Sequence, residues 1–464
     1  MFRVAQKLFN HQSSCATGLR AQLEIPGAVA ALIHDFYLYL DNRILRIKKP
    51  LPKTLEQVDK ASMRILLVHR NFPGQFRYLA PALIKAGHQV GVLTWDQNKN
   101  PKVLPTAMYK HEMGKTKGIA GFFTDNVENG AAAARAAWQI QSKGDAPDVI
   151  FGSINWGETL FLKEVWPKAR HLGYAEFMYA TEGRDTGFDP EFSRETPETK
   201  IRTIARTGHL VLAASRADAL LSPTQWQASS FPAEFQHKIS VIHDGVDTDR
   251  IRPAQNASYQ VPGGPLLTAA DEVITFVNRN LEPYRGYHTM MRALPKLMAD
   301  RPNLQVVMVG GHGSGYGPVH ANGKSWKDIF LEEVADKVDQ SRIHYVGRIP
   351  YDQLLDVLRI GRAHIYLTYP FVLSWSMLEA MSLGCVVIGS ATPPVEEVIT
   401  DSENGHLVDF FDADALATKI CDVVANPDAQ QKIRTAARQH IIDTYDLKTI
   451  CLPKLMHFVE TAGA

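Results

Sequence analysis

The sequence predicts an α/β protein built from two Rossmann-like domains that face a cleft, with an N-terminal extension in front of them. Three observations carry this. The apolar run 64–68 is followed by a loop bearing Gly74, a helical stretch 77–86 and a second apolar run 89–93, which together make a βαβ unit. After a polar break rich in Pro and Gly, the same alternation restarts at Val273. Late in that second half, residues 371–381 read as a loop feeding a short helix that stops at Gly384 and drops into the apolar run 385–388. Folds of this kind bind ligands beyond the carboxyl ends of their strands.

In chain order, residues 1–62 are the extension. Its apolar stretch 28–40 is broken by His34 and Asp35 and followed by Arg43, Arg46, Lys48, Lys49 and Lys53, with Pro50 and Pro52 ending any helix. Such a segment docks on the body, stays partly disordered, or lies on an anionic membrane surface. Residues 63–252 are the first domain, with further strands expected at 149–151, 174–178, 219–221 and 239–242. Residues 253–272, where Pro262, Gly263, Gly264 and Pro265 cluster, are expected to be a linker. Residues 273–440 are the second domain, with strands at 273–277, 304–309, 343–346, 363–367 and 385–388, and residues 441–464 a C-terminal helical segment.

Composition narrows the function classes. A chain of 464 residues, 45% of them hydrophobic, is long for one core and sufficient for two. A formal charge of +1 with scattered basic residues points away from a nucleic-acid partner. Cys15, Cys385, Cys421 and Cys451 are too few and too dispersed for a disulfide framework or a metal knuckle. Cys385 is expected to be a small core residue, and the compartment reducing. No run approaches the roughly 18 apolar residues of a spanning helix. The expected location is cytoplasmic, with peripheral contact at the inner face of the membrane through the extension.

Chemistry concentrates in residues 371–381. Met377, Leu378 and Met381 supply an apolar helix face, so Glu379 is a carboxylate held near the sheet. A helix N-terminus beside strand ends suits a phosphate, and a nearby carboxylate suits ribose hydroxyls. The combination suggests a nucleotide-sugar site. Two Asp-x-Asp triplets look like metal signatures but have local explanations. Asp247-Thr248-Asp249 enters the linker as a turn. Asp412 caps the helix that follows, with Asp414 in its first turn. Neither is expected to bind a metal. The glycine run 310–317 is not followed by a helix, since Pro318 and Asn322-Gly323 intervene, so it reads as a mobile rim loop and not a dinucleotide site.

On these residues the chain from Met63 onward resembles glycosyltransferase family 4, a group of retaining, nucleotide-sugar-dependent enzymes of GT-B fold. Its first half, with Asn71-Phe72-Pro73-Gly74-Gln75-Phe76, Gly157-Glu158 and Gly187-Phe188-Asp189-Pro190-Glu191-Phe192, is similar to a bacterial subgroup. The resemblance implies that Arg279 and Arg285 hold the pyrophosphate, whose charge grows as the glycosidic bond breaks. The family more often has lysine at the second place; arginine keeps the charge and adds a bidentate fork. It further implies Glu379 on the ribose, Gly74 facing the donor phosphate where a Cβ would crowd the ligand, and Arg348 near the base.

The family's other glutamate, eight positions before Glu379, falls on Phe371, which cannot accept a hydrogen bond from a sugar. Backbone amides around Leu373 and Ser374, or the Ser374 hydroxyl, are then left to meet sugar or phosphate. Phe371 reads as core packing or as a stacking contact. Where the family often places a histidine at the cleft wall, this chain offers Glu176, with Glu182, Asn155 and Glu158 as further polar candidates. No protein base is compulsory, because the leaving phosphate can serve.

These expectations describe a metal-independent retaining glycosyltransferase without a cofactor. It would move a sugar from a nucleoside-diphosphate sugar to a hydroxyl of a glycan, polysaccharide or lipid-linked acceptor. Two alternatives stay open: a nucleotide-sugar-binding partner protein without turnover, and another GT-B enzyme such as a sugar-nucleotide epimerase or phosphorylase.

Overall fold

The computed structural model describes residues 62–463 except 194, 314, 318, 319, 321 and 322, so the expected interfacial helix of the extension lies outside the described residues. The first sheet holds β1 (Arg64–Val68), β2 (Gln89–Trp95), β3 (Thr106–Tyr109), β4 (Val149–Ser153), β5 (Arg170–Tyr174), β6 (Ala219–Ser222) and β7 (Ile239–Val241). All its pairings are parallel, in the order β3-β2-β1-β4-β5-β6-β7. Strands covered by helices on both faces need near-continuous apolar runs, which is why β1 and β4 were visible in sequence. β3 was not expected: Thr106 and Ala107 are half-buried and Met108 exposed on this edge strand, so no apolar run marks it. β5 ends at Tyr174, earlier than expected. Ala175, Phe177 and Met178 are apolar for another reason: Phe177 packs in the core of the second domain, and Ala175 and Met178 pack with Ile154 and Leu210 of the first.

Between the sheets, β8 (Ser258–Gln260) and β9 (Leu266–Thr268) form an antiparallel hairpin inside the expected linker. Polar composition hid an alternation in which Tyr259, Val261 and Leu267 are buried in the same apolar cluster as Leu355 and Leu358. The second sheet holds β10 (Val273–Asn280), β11 (Gln305–Gly311), β12 (Ile343–Gly347), β13 (Ala363–Tyr366), β14 (Val386–Ser390) and β15 (His406–Val408), in the parallel order β12-β11-β10-β13-β14-β15. Chain order reverses between β1 and β4 in one sheet and between β10 and β13 in the other, and the crevices open at those points. The terminal helix Leu452–Thr461 crosses back to the first domain. Its Leu455, Phe458 and Val459 join the core around Ile65 and Phe151, and Arg170 donates to the carbonyls of Val459, Glu460 and Ala462. Among the described residues no helix is long and apolar enough to cross a membrane.

Candidate active site

Glu379 sits on the helix Trp375–Ser382, which leaves the crevice end of the second sheet. Its carboxylate is buried and accepts the Tyr351 hydroxyl at 2.6 Å. Burial pushes its pKa up, while Tyr351, Arg77 and Arg250 pull it back. Arg77 and Arg250 both lie over the Tyr351 ring, at 5.6 and 5.2 Å. Gln75, Arg77 and Tyr78 from the loop after β1 line the same interdomain crevice as Asp244, Trp375 and Glu379. The structure therefore brings the loop after Gly74 and Glu379 to one crevice. The reason for glycine at 74 is different. At φ +45° its Cβ would lie 2.5 Å from Cε1 of His69, so the loop packs on a buried imidazole of its own domain. Burial holds His69 neutral, with a pKa lowered to about 4.

The arginines differ from one another. Arg279 is exposed at the end of β10. Arg285 is only 4% exposed, and its Nη1 donates to Thr368 Oγ1 at 2.7 Å and to the Val372 carbonyl at 3.1 Å. The rings of Tyr316 and Phe371 lie 5.2 and 5.7 Å from its guanidinium. Between the two arginines in sequence, buried Glu282 accepts the amides of Tyr316 and Gly317, so the described part of the glycine loop is pinned. The Ser374 amide, expected to be open to ligand, donates to the Tyr366 hydroxyl at 2.7 Å, and Ser374 Oγ pairs with Ser376 Oγ at 3.1 Å. Leu373 is half-buried against the apolar cluster behind it. Arg348 is exposed and donates to Asn280 Oδ1 at 3.1 Å. Phe371 is packed edge-on against Phe177 of the first domain and against Tyr284 and Tyr316, so it is interdomain core.

On the first domain, Glu176 accepts Asn155 Nδ2 at 2.8 Å; burial raises its pKa, and the Asn155 bond and the Arg285 charge oppose this. Glu182 does not join this group. Its side chain is 72% exposed and ion-paired with Lys200 at 2.7 Å, a solvated pair of little energetic weight. Sequence reasoning overlooked Asp244, which lies in the crevice and accepts Tyr174 Oη at 3.0 Å and, across the domains, Trp375 Nε1 at 2.9 Å. Its pKa is raised from 3.8 to about 7, first by burial. A native state that binds this proton more tightly than the unfolded chain loses stability as pH rises from about 4 to about 7. Asp244→Asn keeps the shape and removes the charge. We expect it to leave stability at pH 3 nearly unchanged and to raise it at pH 8 by about 3–4 kcal/mol, read by denaturant unfolding at both pH values. An equal effect at both would show that Asp244 does not titrate in this range.

A family model described as Glycosyl transferase family 4 group matches residues 86–251, and one described as Glycosyl transferases group 1 matches residues 265–440. The chain belongs to glycosyltransferase family 4. Among curated relatives, a D-inositol 3-phosphate glycosyltransferase of Streptomyces coelicolor is 26% identical over 53% of this chain and 55% of its own length. A GDP-mannose-dependent alpha-(1-6)-phosphatidylinositol monomannoside mannosyltransferase of Mycolicibacterium smegmatis is 23% identical over 64% of this chain and 73% of its own. The chain spans about half the length of several of the curated relatives it matches. Among solved structures, sucrose-phosphate synthase of Thermosynechococcus elongatus aligns with a TM-score of 0.65 at 18% identity, over 85% of this chain and 98% of that one. Anabaena Alr3699/HepE in complex with UDP and glucose aligns at 0.60 with 14% identity, over 86% and 100%. These likenesses show the GT-B fold.

In this family member the two domains are also tied by a segment whose role sequence reasoning missed, although its motif was noticed. Asp185 accepts the Tyr284 hydroxyl, Asp189 accepts Tyr369 Oη at 2.8 Å and faces His288 Nε2 at 3.2 Å, and Glu191 takes both Nη atoms of Arg292 at 2.7 Å. Phe188 packs on Tyr369 and Phe410, and Phe192 on His288 and Trp326. Ligand atoms of Asp189, Glu191 and His288 lie within 4.8 Å of one another, but Tyr369 and Arg292 already engage the two carboxylates. The two Asp-x-Asp triplets are engaged in different ways. Asp247 and Asp249 both hold Lys448 Nζ, at 2.9 and 2.6 Å, and Asp412 caps the helix Ala413–Ala425 by accepting the Ala415 amide at 2.8 Å.

Proposed function

We propose that this protein is a retaining glycosyltransferase that moves a sugar from a nucleoside-diphosphate sugar to a hydroxyl of a glycan, polysaccharide or lipid-linked acceptor. The observation that supports this most is Glu379, a buried carboxylate flanked by Arg77, Tyr351 and Arg250 at the crevice between the domains. The resemblance to the family assigns this carboxylate to the ribose. The relatives' printed activities, transfer to an inositol phosphate and mannosyl transfer from GDP-mannose, support transfer chemistry of this kind. As the glycosidic bond breaks, negative charge builds on the leaving diphosphate. Arg279 is free to swing onto it, and Arg285 is fixed by Thr368 and Val372, so little reorganisation is needed there. Glu176, held by Asn155, is the candidate to orient the acceptor hydroxyl, with the leaving phosphate as base. The two arginines supply the positive charge, which makes a metal unnecessary in this scheme. Peripheral membrane contact through the basic extension is part of the proposal.

A second reading is favoured by one observation: Phe371 occupies the place of the family's sugar-contacting carboxylate, which suits a partner protein that binds nucleotide sugar without turnover. A thermal-shift panel of nucleotides and nucleotide sugars, followed by donor hydrolysis without acceptor, separates the two. Stabilisation by a nucleotide sugar together with hydrolysis supports the enzyme. Stabilisation without turnover supports the binding protein, and no shift with any nucleotide sinks both. Within that panel, Arg279→Ala is expected to weaken nucleoside-diphosphate binding by about 1.5–3 kcal/mol while sparing nucleoside binding. Equal losses for both ligands would remove Arg279 from the phosphate site. Arg279 is the cleaner probe, because Arg285→Ala also strips partners from Thr368 and Val372.

A further inference from the structure

Four strands of the first sheet end around one arginine that the donor chemistry does not use. Arg70 follows β1, Trp95 closes β2, Tyr109 closes β3, and the turn after β4 carries Trp156 and Glu158. The Arg70 guanidinium lies 4.6 Å from the ring centroid of Trp95 and 4.7 Å from that of Trp156. The cation therefore lies over two indole rings. Its N–H groups form no hydrogen bond among the described residues.

The surroundings are firmly built. Trp95 Nε1 donates to the His111 carbonyl at 2.9 Å, and the Trp156 carbonyl accepts Asn129 Nδ2 at 2.6 Å. Gly157, at φ +86°, packs so closely that a Cβ would come within 2.0 Å of the Asn126 carbonyl, which locks the turn presenting Trp156. Glu158 is fully buried; its Oε1 accepts the Tyr109 hydroxyl at 2.9 Å and its Oε2 has no partner among the described residues. Burial pushes the pKa of this carboxyl up, and the nearby Arg70 charge and the Tyr109 hydrogen bond oppose the rise.

A planar cation held against two indoles with its fork unpaired is arranged for a bidentate oxyanion. Trp156, 36% exposed beside it, offers a platform for the apolar face of a sugar ring. The cluster sits at the same strand ends that send the 74–78 loop to the crevice. We propose that Arg70, Trp95 and Trp156 form an acceptor subsite for a sugar bearing an oxyanion, either phosphate or carboxylate. This rests on the transferase reading and names the acceptor class of the same cleft.

The test uses the full chain and titrates glucose, glucose 6-phosphate, glucuronate and inorganic phosphate by calorimetry, with nucleoside-diphosphate binding as the measure that each variant folds. The two charged sugars distinguish a phosphate site from a carboxylate site. At least one of them is expected to bind about 10- to 100-fold more tightly than glucose. Arg70→Lys and Arg70→Ala should both erase that preference, and Trp156→Ala should weaken charged and neutral sugars alike. Equal affinity for neutral and charged sugars overturns the proposal, as does a preference that survives Arg70→Ala or inorganic phosphate binding as tightly as the sugar phosphate. Any of these in a protein that still hydrolyses donor refutes the subsite alone. Loss of nucleotide binding in the unaltered chain refutes the transferase reading instead.

Discussion

Glu379→Ala is expected to weaken nucleoside-diphosphate binding by about 3 kcal/mol, on the order of 100-fold, and to remove sugar transfer with it. Two ribose hydroxyls donating to one carboxylate would make charge-assisted bonds, roughly twice as strong as neutral ones. Here the carboxylate is already desolvated beside Arg77 and Arg250 and oriented by Tyr351, so it pays little to reorganise when the nucleotide arrives. Glu379→Gln should fall between wild type and alanine. Phe371→Leu supplies the contrast. Position 371 is packed among Phe177, Tyr284 and Tyr316 and offers no polar contact, so its change should alter sugar preference or rate and spare free nucleotide affinity. Calorimetry with the nucleoside diphosphate, beside a transfer assay, measures both. Nucleotide binding lost in a folded Phe371→Leu protein and intact in Glu379→Ala would mean that the segment is placed wrongly on the family.

The second large effect concerns stability. Asp189→Ala should destabilise the protein by about 2–6 kcal/mol, because it strips the acceptor from two buried donors at about 1–3 kcal/mol each. Those donors are the Tyr369 hydroxyl and the His288 imidazole, and both belong to the other domain. Glu191→Gln is the control. Its partner Arg292 is half-exposed and also holds Glu333, so the loss there should stay within about 1 kcal/mol. Thermal and denaturant unfolding of the two variants make the comparison. Tyr369 adjoins Thr368, the residue that fixes Arg285, so Asp189→Ala should also lower transfer at saturating donor. A variant no weaker than Glu191→Gln would show that the segment rests on the second domain without holding it.

Much of the architecture was legible because its causes are local or periodic. A strand covered on both faces must be apolar along its length, which marks β1, β4, β10 and β14 in any reading of the chain. Asp412 caps the helix starting one residue later, a bond spanning three positions, so its meaning could be read without a structure. Edge strands escaped for the converse reason: β3 has only one buried residue to mark it. The β8–β9 hairpin escaped because its alternation is three residues long on each side of a Pro-Gly turn. At the site, residue type and spacing pointed to Glu379, whereas Arg279, Arg285 and the Gly74 loop entered only through the resemblance to the family.

What the sequence by itself determined, then, is the pair of βαβ cores and the chemical identity of the groups at their strand ends, because periodicity, capping and turn chemistry act within a few residues. Only the tertiary structure decided which of those groups are free. Arg285 is engaged by residues more than 80 positions away, Asp185 meets Tyr284 across 99 positions, and Asp189 meets Tyr369 across 180. Asp244 and Trp375, 131 positions apart, share a bond that exists only when the two domains close. Such contacts have no signature in local sequence. They arise where segments distant in sequence meet, and burial there sets which carboxylate is charged, which arginine can move and which indole can stack.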